Sequence, residues 1–384
     1  MLDDRVPFTH LGAGFPRVIP LVEILFELGH QVTFGSCVVT NTPQEAQQVL
    51  GQRCHFVDLS QPGSAAEFVN QHGHEFDVLW VSRPPNMRRL QTQIPQEALL
   101  WKQIPLVVYD AEAIFALRNQ LQNTYYPNAQ PGLSLEEELA LTNAANVITS
   151  VSKAEAVHFE KTGKPTHVLS TTCAASPTEK AFDQRKGLLF VGPLRGDKDN
   201  PHPNSDALIW FCEQVAPILR GQMGNDFQLK VAGLVERADL DRLSQGGVEL
   251  LGMVPDLQEL YNTSRIFIAP HRFAAGIPLK VIESATFGLP VVSSDLLAKQ
   301  LGWRHQEEIV GADHDDAKAF AEACMTLYYD QQAWMTIRHG ALQRVREEYS
   351  RARLKSVVEQ VLAKPRRNPF YLPFQLLLKK LGIR

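Results

Sequence analysis

The 384-residue chain has few cysteines. The five, Cys37, Cys54, Cys173, Cys212 and Cys324, are odd in number and include no CxxC pair. That pattern offers no disulfide framework and suits a reducing compartment. Long apolar runs are missing too: none approaches the roughly 18 to 20 residues that span a bilayer, and the opening MLDDRVPFTH lacks the basic-then-apolar order of a signal peptide. With a formal net charge of -4 and a pI near 6.3, there is no one-sided field to draw nucleic acid. The expectation is a cytoplasmic protein with no nucleic-acid partner. A dinucleotide fingerprint is also absent. In THLGAGFPR, Gly12 and Gly14 are followed by Arg17 where a third glycine belongs, Pro16 intrudes, and no acid follows a second strand at the required distance. This disfavours hydride transfer. No His, Asp or Glu cluster has ligand spacing, so neither metal nor cofactor is expected.

What is present is a folded composition, 44% apolar and 21% charged, on a chain longer than one core supports. Short β-branched runs (QVTFGS, DVLWVS, PLVVYD, NVITSV) alternate with amphipathic stretches such as VIPLVEILFELGH. A second series (LLFVG, FQLKVAG, VELLG, RIFIAP, PVVSS, EEIVGA) follows the polar segment TTCAASPTEKAFDQRKG. Strands alternating with helices imply parallel sheets. The expectation is an α/β protein of two Rossmann-like domains in tandem, residues 1–175 and 176–345, followed by a C-terminal helix and basic, apolar tail over 346–384. The first helix, expected from about Arg17 to Leu28, follows a loop that leaves only MLDD for a strand before it, so the first strand looks clipped.

Ligands of open parallel sheets bind beyond the carboxyl ends of the strands, which directs attention to the loops and to a cleft that the two sheets would face. The stretch APHRFAAGIPLKVIESATFGLPVV, residues 269–292, is the most informative. RIFIAP reads as a strand, HRFAAGI as a loop, Pro278 as the first turn of a helix, and Gly288 as its stop. A helix N-terminus with Arg272 and Lys280 beside it suits a phosphate or diphosphate, and Gly276 allows close backbone approach. Glu283 would oppose phosphate but suits the vicinal hydroxyls of a ribose; it could instead pair with Lys280 at i, i+3 spacing. VGPLRGDKDNPHPNSDALIWF repeats the arrangement. There Arg195 and Lys198 bring further charge, partly cancelled by Asp197 and Asp199, or form a solvated loop, before a helix opening near Asn204 or Ser205. In LLGMVPDLQELYNTS, Met253 and Val254 could face a base while Asp256 caps the helix. Arg17 could meet either an anion or a neighbouring Asp, and His10, His271 and Glu112 are the polar residues placed to reach an acceptor.

Taken together, DDRVPFTHLGAGFPR, LGHQVTF, VLWVSRP, VVYDAEA, NVITSVSKAE, LLFVGPL with HPNSDALIWF, LLGMVPDLQELY and the 269–292 stretch resemble the glycosyltransferases of GT-B fold, in the large retaining group numbered family 4. The resemblance covers nearly the whole length. It implies transfer of a sugar, with retention, from a nucleotide-diphosphate donor held mainly by the second domain to a glycan or lipid-linked acceptor held mainly by the first, in polysaccharide assembly. With the loop reading above, the expected catalytic residues are Arg272, Lys280 and His271, and the expected donor-binding residues are Glu283, Gly276, Ile277, Arg195, Lys198, Val254 and Gly14. Glu283 matches the second glutamate of the family's E-x7-E motif; Ala275 stands in place of the first, and Pro278 removes a backbone donor. An epimerase of the same fold and a non-catalytic relative are the alternatives. The tail, with Lys364, Arg366, Arg367, Lys379, Lys380 and Arg384 and no acid, suits either packing on the first domain or peripheral contact with an anionic membrane.

Overall fold

A computed structural model describes residues 1–8, 17–95, 98, 101 and 103–363. His10, Gly12, Gly14 and the 364–384 tail therefore lie outside the described residues. The chain forms two compact units. Among the described residues, the first comprises Met1–Ala113, Ser134–Thr171 and Leu354–Ala363; the second comprises Ile114–Leu133 and Thr172–Arg353.

The first unit holds strands β1 (Leu2–Asp3), β2 (Thr33–Ser36), β3 (His55–Asp58), β4 (Val78–Ser82), β5 (Leu106–Asp110), β6 (Val147–Ser150) and β7 (Thr166–Val168). They make one parallel sheet in the order β3-β2-β1-β4-β5-β6-β7. The two-residue β1 lies inside the sheet, between β2 and β4, and the expected first helix runs Val18–Glu27. One face of this sheet is sealed by that helix and by Leu354, Val357, Val358 and Val361 of the helix Arg351–Leu362, which pack with Phe34, Trp80, Leu106 and Val108.

The second unit holds β8 (Leu188–Val191), β9 (Leu229–Ala232), β10 (Val248–Gly252), β11 (Ile266–Ala269), β12 (Val291–Ser294) and β13 (Val310–Ala312), again all parallel, in the order β10-β9-β8-β11-β12-β13. Both faces are covered, which is why its strands read as unbroken apolar runs. Leu188, Phe190, Ile266 and Ile268 enter one core; Leu189, Phe267 and Ala269 enter the other. The strand order reverses between β8 and β11, where such sheets hold ligands.

Candidate functional site at the strand-order reversal of the second unit

The loops that follow β8 and β11 carry the polar residues of the reversal point. β8 runs into Gly192, and the next helix, Pro203–Trp210, places Asn204 and Asp206 in its first turn. His202 caps this helix, its Nδ1 accepting from Asn204 N–H at 3.2 Å. The Asn204 side chain donates to Pro193 O at 3.0 Å and turns its Oδ1 toward the loop after β11. There it accepts from Lys280 Nζ and lies 3.0 Å from His271 Nε2. A glycine is needed at 192 because a Cβ there would stand 2.9 Å from Lys280 Nζ and 2.5 Å from Asn204 Nδ2.

Lys280 sits in the first turn of the helix Leu279–Thr286. Pro278 occupies the position just before the first helical residue, one place earlier than the sequence suggested, a difference within the usual uncertainty of helix ends. The ammonium lies 5.1 Å from the Phe190 ring centroid and 3.2 Å from His271 Nε2. Its polar partners are thus neutral. Burial pushes its pKa down to about 7, with Glu283 pulling it partly back. Burial first, and then Lys280, hold His271 well below the usual histidine range, so the ring is neutral at physiological pH. It stacks on Phe190 at an interplanar angle of 13° and is 4% exposed.

Arg272 takes a different partner. Its Nε donates to Asp206 Oδ2 at 3.0 Å and its Nη2 to Asp206 Oδ1, while the guanidinium carbon lies 4.1 Å above the Tyr125 ring centroid. Tyr126 donates its hydroxyl to Asp206 Oδ1 at 2.6 Å. Both tyrosines come from the end of the helix Phe115–Tyr125 and the residue after it, which the second unit takes from the first half of the sequence. Phe273 packs against both rings, at centroid distances of 6.4 and 6.1 Å.

Glu283 is half-buried one turn beyond Lys280. Burial raises its pKa, and the Tyr261 hydroxyl and Lys280 draw it back. No ion pair joins Glu283 to Lys280 among the described residues, so the simple i, i+3 pairing is not formed. Gly276, with φ 76°, takes the left-handed turn that brings the loop into the helix, and Ile277, half-buried, accepts from Leu279 N–H at 2.9 Å. Arg195 pairs with Glu236 at 3.2 Å, both about half-exposed, and Lys198 is exposed; neither bonds to the Asn204–Lys280 cluster. Val254 is half-buried beside Met253, which is 74% exposed, and Asp256, one residue before the N-cap Leu257 rather than at it, accepts from Gln258 N–H at 2.8 Å.

A second charged cluster lies at the carboxyl ends of β1, β4 and β5 in the first unit. Of the two partners open to Arg17, the structure gives it an acid. It bonds Asp110 through both terminal nitrogens, at 2.9 and 3.0 Å, and Glu112 at 3.1 Å. Arg83 bonds Asp3 at 2.7 Å and Glu112 at 2.9 Å. Burial raises Glu112 to about 7 against the pull of both arginines.

The stretch singled out in the sequence carries Arg272, Lys280, His271 and Glu283 together; the sequence marks Asn204 only as a candidate helix start and does not single out Asp206, Tyr125 or Tyr126. The signal for Asn204 and Asp206 was there. In HPNSDAL an Asn and an Asp stand two apart at the start of a helix that follows a β-strand and its loop, where an exposed cap alone would not call for both.

Residues 185–330 match the family described as Glycosyl transferases group 1. The matched stretch contains Asn204, Asp206, Arg272, Lys280 and Glu283. A Klebsiella pneumoniae protein described as an uncharacterized 44.6 kDa protein in the cps region is 25% identical over 180 residues. The match covers 44% of this chain and 44% of that protein's length. Among solved structures, Anabaena HepE in complex with UDP and glucose is similar with a TM-score of 0.66 and 14% identity, over 94% of this chain and 98% of that one. Sucrose-phosphate synthase from Thermosynechococcus elongatus gives 0.69 and 16%, over 91% and 93%. At such identities the likeness shows the fold, two Rossmann-like units of GT-B type.

Proposed function

We propose that this chain transfers a sugar from a nucleoside-diphosphate donor to a hydroxyl acceptor, and that the donor's diphosphate binds at Lys280. The observation that carries this reading is a half-buried lysine whose ammonium bonds only neutral partners, in the first turn of a helix, where the sheet order reverses. Glu283 offsets only part of the cost of desolvating that cation. An anion arriving there recovers that cost and also meets the positive end of the helix. HepE, whose structure has been determined with UDP-glucose, supports this choice of ligand class.

In this reading the β-phosphate meets Lys280 and the unpaired Nη1 edge of Arg272, and Glu283 accepts from the ribose hydroxyls. Charge grows on that phosphate as the bond to the anomeric carbon breaks, and fixed cations aimed at it favour the transition state over the bound donor. No protein base is then required: the departing phosphate takes the acceptor's proton, and attack from the leaving group's side gives retention. His271, neutral and enclosed, holds Lys280 in place. The first unit supplies the acceptor side, for a glycan or lipid-linked acceptor in polysaccharide assembly.

The test is product formation from UDP-, GDP- and ADP-sugars with and without glycan acceptors. Nucleotide release that depends on an acceptor is the expected result. Sugar isomerisation from donor alone would make the protein an epimerase, and absence of any nucleotide binding would make it a non-catalytic relative.

Two further expectations belong to this site. Glu283→Gln weakens binding of the ribonucleoside diphosphate about tenfold, the scale of one hydrogen bond to a charged group, yet leaves the 2′,3′-dideoxy analogue nearly unaffected. Equal losses for both would remove Glu283 from the ribose. The pH dependence follows from Lys280, whose pKa in the free protein lies near 7. Bound phosphate favours its charged form, so affinity from this group is fully present below about pH 7 and falls by up to about tenfold per unit above it. His271 and His202 are both held neutral by burial and by Lys280, and do not add to the slope. Calorimetric titration at pH 6.5 and 8.5 checks this, with Lys280→Met expected to flatten the decline.

A further inference from the structure

Resting on that reading, we infer that Asp206 and Tyr126 are positioning residues for Arg272. They hold its guanidinium so that one edge is tied to the protein and the other is presented to the donor's terminal phosphate.

The geometry is that of a clamp with three sides. Asp206, with no exposed side-chain surface, takes the Nε and Nη2 edge of a guanidinium whose side chain is 17% exposed. Tyr126 fixes the carboxylate by donating to Oδ1 at 2.6 Å and stands 3.5 Å from Nη2. The Tyr125 ring lies against the flat face of the guanidinium, its own hydroxyl anchored to Asp315 at 2.8 and 3.0 Å. Nη1 is left without a partner among the described residues.

This arrangement divides the work between the two cations. Asp206 cancels most of the net charge of Arg272, so attraction of the anion falls to Lys280. What Arg272 gains is a fixed direction. Arginine's planar fork loses little entropy on binding when one edge is already held, and a stacked ring removes rotation out of plane. A donor fixed before the reaction needs no reorganisation as charge develops. A merely structural Asp–Arg pair would not require the second tyrosine to orient the carboxylate, nor leave the remaining nitrogen unused.

The experiment is a double-mutant cycle on the full chain, with affinities for UDP, GDP and ADP and for the matching monophosphates. Tyr126→Phe is expected to keep the melting temperature within about 2 °C, since one part-buried hydroxyl is lost. It should weaken diphosphate binding about fivefold or more and change monophosphate binding less than twofold. In an Arg272→Ala background the same change should have no further effect, because the residue it positions is gone. Tyr125→Phe, which keeps the stacked ring and loses only the bond to Asp315, should leave the phosphate discrimination intact, whereas Tyr125→Leu should reduce it. An effect of Tyr126→Phe that persists undiminished without Arg272, or that falls equally on mono- and diphosphates, overturns the inference while the proposed function stands. Failure of the unaltered protein to bind any of the three diphosphates overturns the function itself.

Discussion

Replacing Lys280 with methionine is expected to lower turnover by about a hundredfold or more and to weaken nucleoside-diphosphate binding along with it. The size follows from what one preorganised charge contributes at a developing anion, on the order of 3 kcal/mol or a hundredfold in rate. Methionine is the informative substitution because it keeps an unbranched apolar stem while deleting the ammonium, which lies 5.1 Å from the Phe190 ring centroid. The free protein should not be harmed and is expected to gain stability. Burial depresses the lysine pKa to about 7 from 10.5, so the folded state carries a desolvation cost in full below pH 7, and that cost fades as pH rises above 7. The variant would thus be at least as stable as the parent at pH 6.5 and far less active, measured by melting temperature and steady-state turnover. A variant equally active, or one that loses activity only by unfolding, would place the chemistry elsewhere.

The second large effect concerns the first unit. Asp110 is fully buried and accepts from both Arg17 terminal nitrogens, from Thr149 Oγ1 at 2.8 Å, and more distantly from Trp80 and Ser82. Asp110→Ala leaves the Arg17 guanidinium buried beside Leu169 O and Glu112 with its main counter-charge gone. Breaking such a pair costs about 3 to 5 kcal/mol, or roughly 10 °C in melting temperature for a unit of this size. Arg17→Met should cost a similar amount. The double substitution Arg17→Met with Asp110→Leu should cost clearly less than the two singles together, since neither charge is then stranded. Differential scanning calorimetry of the three variants tests this; additive losses would show that the pair is not a unit.

Much of this was legible in the chain itself. Parallel strands buried on both faces must be continuous apolar runs, and RIFIAP, PLVVYD and LLFVG are such runs at β11, β5 and β8. Strand-end loops of a doubly wound sheet can be located once the strands are known, which is why Arg272, Lys280 and Glu283 stood out. What could not be read was pairing at a distance. Arg272 meets Tyr126 across 146 positions of sequence, and Arg17 meets Asp110 across 93. No local periodicity encodes either contact; the topology of the sheet does. The neutral hydrogen-bond partners of Lys280 were equally hidden. In sequence the lysine stands three residues from a glutamate, the spacing of an ordinary helical ion pair, and only the buried Asn204 oxygen and the His271 ring show that it is drawn elsewhere.

The central claim is that a diphosphate seats on the Lys280 ammonium at the helix N-terminus. Its most direct test is isothermal titration of the full chain and its Lys280→Met variant with UDP, GDP and ADP at pH 6.5, beside their monophosphates. The account predicts that at least one diphosphate binds the parent more tightly than its monophosphate, and that the variant loses that preference. Diphosphate affinity unchanged by the loss of the ammonium would contradict it.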